Sequence, residues 1–278
     1  MTINKANLWS DKVQSFSKKY NIPIEYLAEI LLDPKVIPMI RGKAFEYSVL
    51  IILSNILDKK EWQVNKVPMN AQYELHDEDI TVTHIASSAR IRIECKLAKK
   101  QGYSSRDGKS IKVKCMRSRT LGDEKIKNLA PRLGLSEAVL KTHNDQYVDS
   151  NFDFVVTSIG NAFYRTDTST GLYEWKPTEN ELKFLKALYP SLSEDFNNPD
   201  FQRDLAFRKI YIAKSKDLTI NSTNGITCTR KKCTNKTDCN FIPNYPIIKF
   251  NPETYKPFQP WYEIEDCPNL FSSFIVKS

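Results

Sequence analysis

The chain has 278 residues, 41% hydrophobic and 11% aromatic. That composition describes a globular protein with room for one large domain or a core with an appendage, and it excludes a disordered polypeptide. The formal net charge is +8, and residues 88–132 alone hold fourteen Lys and Arg against four Asp and Glu, so the basicity sits in one block and suits a polyanion partner such as nucleic acid.

In chain order, residues 1–20 read as an amphipathic helix with Leu8, Val13 and Phe16 among lysines. Residues 22–32 read as a second helix, with Pro23 in its first turn. Pro34 and Pro38 punctuate, and residues 41–57 give the strongest helix signal in the chain. Residues 62–69 and 79–85 read as strands. Ser87 and Ser88 fit a turn, and residues 89–98 read as a third strand. The basic stretch 99–120 follows, with Gly102 and Gly108 and a short strand signal at Ile111, Val113 and Cys115. Residues 121–141 predict a helix and 152–158 a buried strand. Beyond about residue 166 the character changes: a helix over 179–187, a strand over 207–213, a Cys-containing polar stretch over 217–240, and a Pro- and aromatic-rich end.

Several function classes are disfavoured. Residues 44–57, the longest mainly apolar run, are too few to span a bilayer and are broken by Glu46, Ser48 and Asn55. The first residues, MTINKANLWSDK, have no apolar signal core, so the chain is expected in a reducing cytoplasm with no membrane partner. Neither GxxxxGK[ST] nor GxGxxG occurs, which argues against a nucleotide cofactor. His76, His84 and His143 lack a partner at ligand spacing and read as structural.

The stretch RIRIECKLAKK, residues 90–100, carries the chemistry. Ile91, Ile93, Cys95 and Leu97 alternate with Arg90, Arg92, Glu94 and Lys96, so one face is apolar and the other holds an acid and a base two residues apart. Acid-x-Lys recurs elsewhere in the chain. Here it lies on a clear strand, fifteen residues after a strand headed by Asp79. A tight turn can set the two carboxylates side by side as oxygen ligands for a divalent ion. The bland alternative is a solvated strand face with a weak ion pair.

Asp79, Glu94 and Lys96, on the order helix, strand, acidic strand, ECK strand, helix, strand over residues 40–160, resemble the PD-(D/E)XK nucleases, which include many type II restriction endonucleases. Glu78 stands where the motif has proline, which leaves Asp77, Glu78 and Asp79 as competitors; Asp79 is preferred because it directly precedes the apolar run. The resemblance implies Mg²⁺ held by Asp79 and Glu94, with Lys96 binding the attacking water or the phosphate. Glu46, on the apolar face of its helix with Val49, Leu50, Leu53 and Leu57, would help orient water or metal. It also implies 5′-phosphate and 3′-hydroxyl products, the cytoplasm of a prokaryotic cell and, in that host, a cognate DNA methyltransferase.

Lys99, Lys100, Arg106, Lys109, Lys112, Lys114, Arg117 and Arg119 are candidate DNA contacts. Gly102, Ser104 and Ser105 would let the backbone approach phosphates, and Tyr103 would pack on sugar or base. Cys228, Cys233, Cys239 and Cys267 can supply four thiolates to a structural Zn²⁺, with free thiols as the alternative. Cys95 reads as an inert core thiol, and Cys115 is left without a role.

The expected architecture is α/β (α+β): a mixed central sheet flanked by helices, a restriction-endonuclease-like core, and an irregular Cys-containing C-terminal region. The expected divisions are a helical segment at 1–38, the nuclease core at 39–165, and a recognition or metal-stabilised subdomain at 166–278. The expected function is Mg²⁺-dependent, sequence-specific cleavage of double-stranded DNA by a homodimer. The alternatives are a repair or junction nuclease of the same superfamily and a non-catalytic nucleic-acid-binding protein with a zinc module.

Overall fold

The computed structural model describes residues 5–66, 78–192 and 196–276. The helices are α1 (Lys5–Lys19), α2 (Leu27–Leu32), α3 (Ile37–Ile56), α4 (Asp123–Leu129), α5 (Glu137–Thr142), α6 (Glu179–Ala187), α7 (Pro199–Arg208) and α8 (Cys267–Ile275). The strands are β1 (Trp62–Lys66), β2 (Ile80–His84), β3 (Arg90–Ser104), β4 (Ser110–Val113) and β5 (Phe154–Ser158), then β6 (Tyr164–Thr166), β7 (Tyr173–Trp175), β8 (Ile210–Lys214), β9 (Ile247–Lys249) and β10 (Tyr262–Glu263).

The main sheet runs β1-β2-β3-β5-β8-β10. β1, β2 and β3 form an antiparallel meander, and β5 pairs parallel to β3. A parallel neighbour demands a long crossover, and residues 105–153 provide it. The sheet is therefore mixed, as expected. β8 and β10, from the C-terminal region, complete it antiparallel, and β9 pairs with β4. The division expected near residue 165 is thus crossed by the sheet: the C-terminal strands share its core.

Alternation explains the two layers. Ile80, Val82, Ile91, Ile93, Phe154, Val156, Ile210 and Ile212 face α3 and α8, where Phe45, Val49, Leu53, Cys267 and Phe271 are buried. Val155, Tyr211 and Ala213 face the other way, onto Ile111, Val113, Phe184, Leu185 and Trp261. α3 keeps its buried stripe at positions 45, 49 and 53, and Pro38 sits in its first turn, where a missing N–H costs nothing.

Several boundaries differ from expectation for identifiable reasons. The helix expected over 121–141 is split by Pro131 and by Gly134, whose φ of +64° suits glycine. The strand expected from residue 207 starts at Ile210, because Asn198 caps a helix that runs through Arg208. β3 does not stop at Ala98. It continues through a register shift between Ala98 and Tyr103 and pairs with β4, so much of the basic stretch is a hairpin.

Gly102 belongs to that irregularity. A Cβ there would lie 2.4 Å from the Lys99 carbonyl oxygen and 3.0 Å from that of Lys112. Its smallness serves packing within the hairpin, which corrects the expectation that it opens the backbone to phosphate. Tyr103 is likewise committed, 4.9 Å from the Phe184 ring, and is not a free platform for a base.

Candidate active site and a cysteine–histidine cluster

The candidate site lies where β3 changes partners. β2 pairs with β3 up to Ile80 opposite Ile93, and β4 takes over at Ala98 opposite Val113. Between them Asp79 covers the β3 edge, and the Lys114 amide donates to the Leu97 carbonyl at 3.1 Å. The Asp79 amide donates to the Ile93 carbonyl at 2.9 Å, and the Asp79 carboxylate accepts from the Cys95 amide at 2.9 Å. Its competitor Glu78 pairs instead with Arg90 at 3.3 Å. Asp77 lies outside the described residues, as do residues 67–69 of the expected first strand and His76.

Glu94 and Lys96 form an ion pair on the face of β3 opposite Ile93. They do not make a solvated strand face. The Glu94 side chain is 6% exposed and the Lys96 side chain 17%. The Tyr147 hydroxyl completes the arrangement. It accepts from Lys96 Nζ at 3.1 Å and lies within hydrogen-bond reach of Glu94 Oε1 at 3.3 Å. Tyr147 is itself buried, with the Arg117 guanidinium over its ring at 4.6 Å. Nothing in the local sequence marked Tyr147, because only the crossover brings it to β3.

Glu46 is buried in the third turn of α3, on its apolar stripe. Two lysines satisfy it: Lys43, one turn earlier, at 2.7 and 2.9 Å, and Lys66 from β1. A buried carboxylate without such partners would be costly.

The electrostatics follow from this crowding. Burial raises the Asp79 carboxyl above its usual value, the Glu46 charge raises it further, and Lys96 opposes both. Burial would lower Lys96, but the charges of Glu94, Tyr147 and Asp79 outweigh it and hold the ammonium well above its usual range. Lys96 is therefore a permanent cation near neutrality, suited to donating hydrogen bonds and unsuited to accepting a proton. Cys95 is raised well above the thiol range by burial and by the three carboxylates, so it is inert, as expected. Cys115 is buried and pushed up to about 12 by burial.

The basic residues divide into two groups. Lys100 contacts Thr166, Lys109 donates to the Tyr255 hydroxyl at 2.5 Å, Lys99 lies 5.1 Å over the Tyr245 ring, and Arg117 donates to Gln146 and Asn151. These four brace the fold. Arg106, Lys112, Lys114 and Arg119 are exposed.

The cysteines regroup. Among the described residues, one set of His, Cys, Asp or Glu side chains brings three or more ligand atoms within 4.8 Å of one another: His143, Cys228, Cys233 and Cys239. This His/Cys3 cluster can hold a metal such as zinc. Cys267 does not belong to it. It is buried at the start of α8 against β-sheet residues and α3, where burial pushes its thiol up to about 12. The fourth side chain of the cluster is His143 and not Cys267, which departs from the expected set of four cysteines and gives His143 partners that its sequence spacing did not show. His84 does read as structural, hydrogen-bonded to Ser87 at 2.8 Å and packed on Trp62.

No helix of the described residues is long and apolar enough to cross a membrane. Comparisons with protein families, curated proteins and solved structures found no match for this chain.

Proposed function

We propose that this chain is a Mg²⁺-dependent, sequence-specific double-stranded DNA endonuclease of the PD-(D/E)XK kind, a type II restriction enzyme acting as a homodimer. The observation that carries the reading is the buried Glu94–Lys96 pair where β3 changes partners, with the Asp79 carboxylate beside it. An incidental surface pair has no reason to be buried or to be met by a third polar group such as Tyr147. The meander β1-β2-β3 with β5 parallel to β3 agrees with the core that the motif resembles.

The donor set fits Mg²⁺. Asp79 and Glu94 offer hard oxygen ligands. Burial and the Glu46 charge hold the Asp79 carboxyl above its usual value, which is where a cation gains most. When bound, the ion supplies Lewis acidity and charge neutralisation at the phosphodiester. Lys96, oriented by Glu94 and Tyr147, donates to the phosphate or to the attacking water as a fixed positive charge. Glu46, held by Lys43 and Lys66, keeps negative potential beside Asp79 and positions the lysines around the site. Arg106, Lys112, Lys114 and Arg119 would contribute phosphate contacts, and an arginine can read guanine. The exposed Trp9, Tyr26, Leu32 and Met39 near the N-terminus support a second copy as partner.

The test is cleavage of long phage DNA. Discrete fragments with Mg²⁺, absent with EDTA and absent for Glu94→Gln, are expected. Intact DNA that is nonetheless retarded on the gel would instead favour the non-catalytic binding protein, and a smear would favour a repair nuclease.

A further inference from the structure

We propose that His143, Cys228, Cys233 and Cys239 form a closed, structural Zn²⁺ site that ties residues 219–242 to the end of α5. The proposal goes beyond the nuclease reading and stands without it.

The histidine is already in the tautomer a metal needs. Gln146 Nε2 donates to the Ile242 carbonyl at 2.9 Å, and a carbonyl can only accept. The Gln146 amide oxygen therefore faces His143 Nδ1, at 2.6 Å, and Nδ1 must carry the proton. That leaves Nε2 with its lone pair as the ligand atom. Metal-bound histidines are oriented by such a second hydrogen bond. Stacking on Phe241, with ring centroids 4.1 Å apart and planes 7° from parallel, fixes the ring further.

Of the sulfurs, Cys228 Sγ accepts from a backbone amide, while the Cys233 thiol donates to the Asn235 carbonyl at 3.2 Å. Residues 228–233 form a turn in which the Arg230 amide points at Cys228 Sγ at 3.4 Å and the Cys233 amide donates to the Arg230 carbonyl at 3.1 Å. An amide aimed at a sulfur favours the thiolate. Arg230, Lys231, Lys232 and Lys236 interleave with the cysteines in sequence, and the charges of Arg230 and Lys236 reach His143, so positive charge faces a centre whose three thiolates and one divalent ion would sum to a single negative charge.

The fold also needs a crosslink there. Residues 219–246 contain no helix, and an isolated bridge at Phe241 is their one β contact. Their local apolar cluster is Ile220, Cys228 and Cys233, with Ile226 and Cys239 at its edge. Phe241 and Ile242 anchor the end of the segment in neighbouring cores, and so small a local core does not by itself hold the rest without a metal or disulfides. All six cysteines are free thiols. Three sulfurs and one imidazole fill a tetrahedron and leave no open position, so the site is structural and not catalytic.

The experiment is elemental analysis of the full chain purified under reducing conditions. One zinc ion per chain is expected in the wild type and in Cys267→Ser, and loss of that zinc in Cys228→Ser and in His143→Ala. Cobalt(II) exchanged into the wild type should give intense tetrahedral d–d bands and thiolate-to-cobalt charge transfer, a readout that does not depend on variants folding. Wild-type protein without zinc and without that cobalt spectrum overturns the proposal. So does zinc retained in Cys228→Ser, zinc lost in Cys267→Ser, or iron in place of zinc.

Discussion

Glu94→Gln tests the buried acid–lysine pair most directly, because it removes the charge and keeps the shape. Taking one partner from a buried ion pair typically costs about 3–5 kcal/mol. Here the amide oxygen of Gln can still accept from Lys96, and the Asp79 charge still reaches it. Those two effects bring the expected loss down to about 1–3 kcal/mol. At roughly 2–4 °C per kcal/mol for a chain of this size, Tm should fall by about 2–12 °C. Lys96→Met should cost a similar amount. The double variant should recover part of the loss, with a coupling energy of about 1–3 kcal/mol. The same proteins report on the metal. Mg²⁺ at a hundred times its Kd should stabilise the wild type by about 2.7 kcal/mol. It should do little for Glu94→Gln, which has lost a ligand. Lys96→Met should keep the Mg²⁺ stabilisation and still fail to cut DNA. Thermal melts with and without Mg²⁺, run beside a cleavage gel, decide the matter. Additive single variants within about 0.5 kcal/mol, or cleavage at the wild-type rate by Glu94→Gln, would refute the reasoning.

Tyr147→Phe should lower the cleavage rate about tenfold or more with a small change in substrate KM, since about 1.5 kcal/mol of orientation for Lys96 is lost; unchanged turnover would show that the hydroxyl only fills space. Gly102→Ala should destabilise the fold by about 1–3 kcal/mol in urea melts, because the new methyl meets two backbone carbonyls that cannot swing away. A wild-type midpoint for that variant would mean the hairpin bulge relaxes freely. Replacing Lys112 and Lys114 by Gln should weaken DNA binding on all sequences alike and flatten the log–log salt dependence by about 1–2 units. A loss confined to one sequence would make them readers of bases.

The local parts of the site were legible from sequence, and the long-range parts were not. Alternation placed Glu94 and Lys96 on one face of β3, and the spacing from Asp79 placed that acid on the neighbouring strand; both follow from the period-two geometry of strands. Glu46 was legible as a carboxylate on an apolar helix stripe, and the chain order gave the mixed sheet. Burial of the Glu94–Lys96 pair was not legible, since the cover comes from the crossover and not from adjacent residues. Tyr147 and His143 were invisible for the same reason: each meets partners across long loops with no spacing rule. Cys267 misled because it shares its residue type with the cluster, while its place at the head of α8 puts it in the other core layer. Gly102 misled because a glycine in a basic stretch has the same look whether it makes room for phosphate or for carbonyls.

The two centres share one stretch of chain. His143 and Tyr147 are four residues apart on the crossover that the parallel pairing of β3 and β5 requires. The Ile242 amide donates to the Tyr147 carbonyl at 2.8 Å, while the Ile242 carbonyl accepts from Gln146 at 2.9 Å, so the strip carrying Phe241 and Ile242 clamps the crossover between His143 and Tyr147. Downstream, Asn151 accepts from Arg117 at 3.0 Å and Asp153 accepts from the Arg92 amide at 2.8 Å, which returns the chain to the sheet beside β3. The phenol that orients Lys96 is therefore held from both ends by contacts outside the strand that bears Lys96. It follows that the geometry of the acid–lysine pair depends on the irregular C-terminal segment as well as on the meander. A chain cut before residue 217 would keep Asp79, Glu94 and Lys96 in sequence but lose the clamp that presents Tyr147 to them.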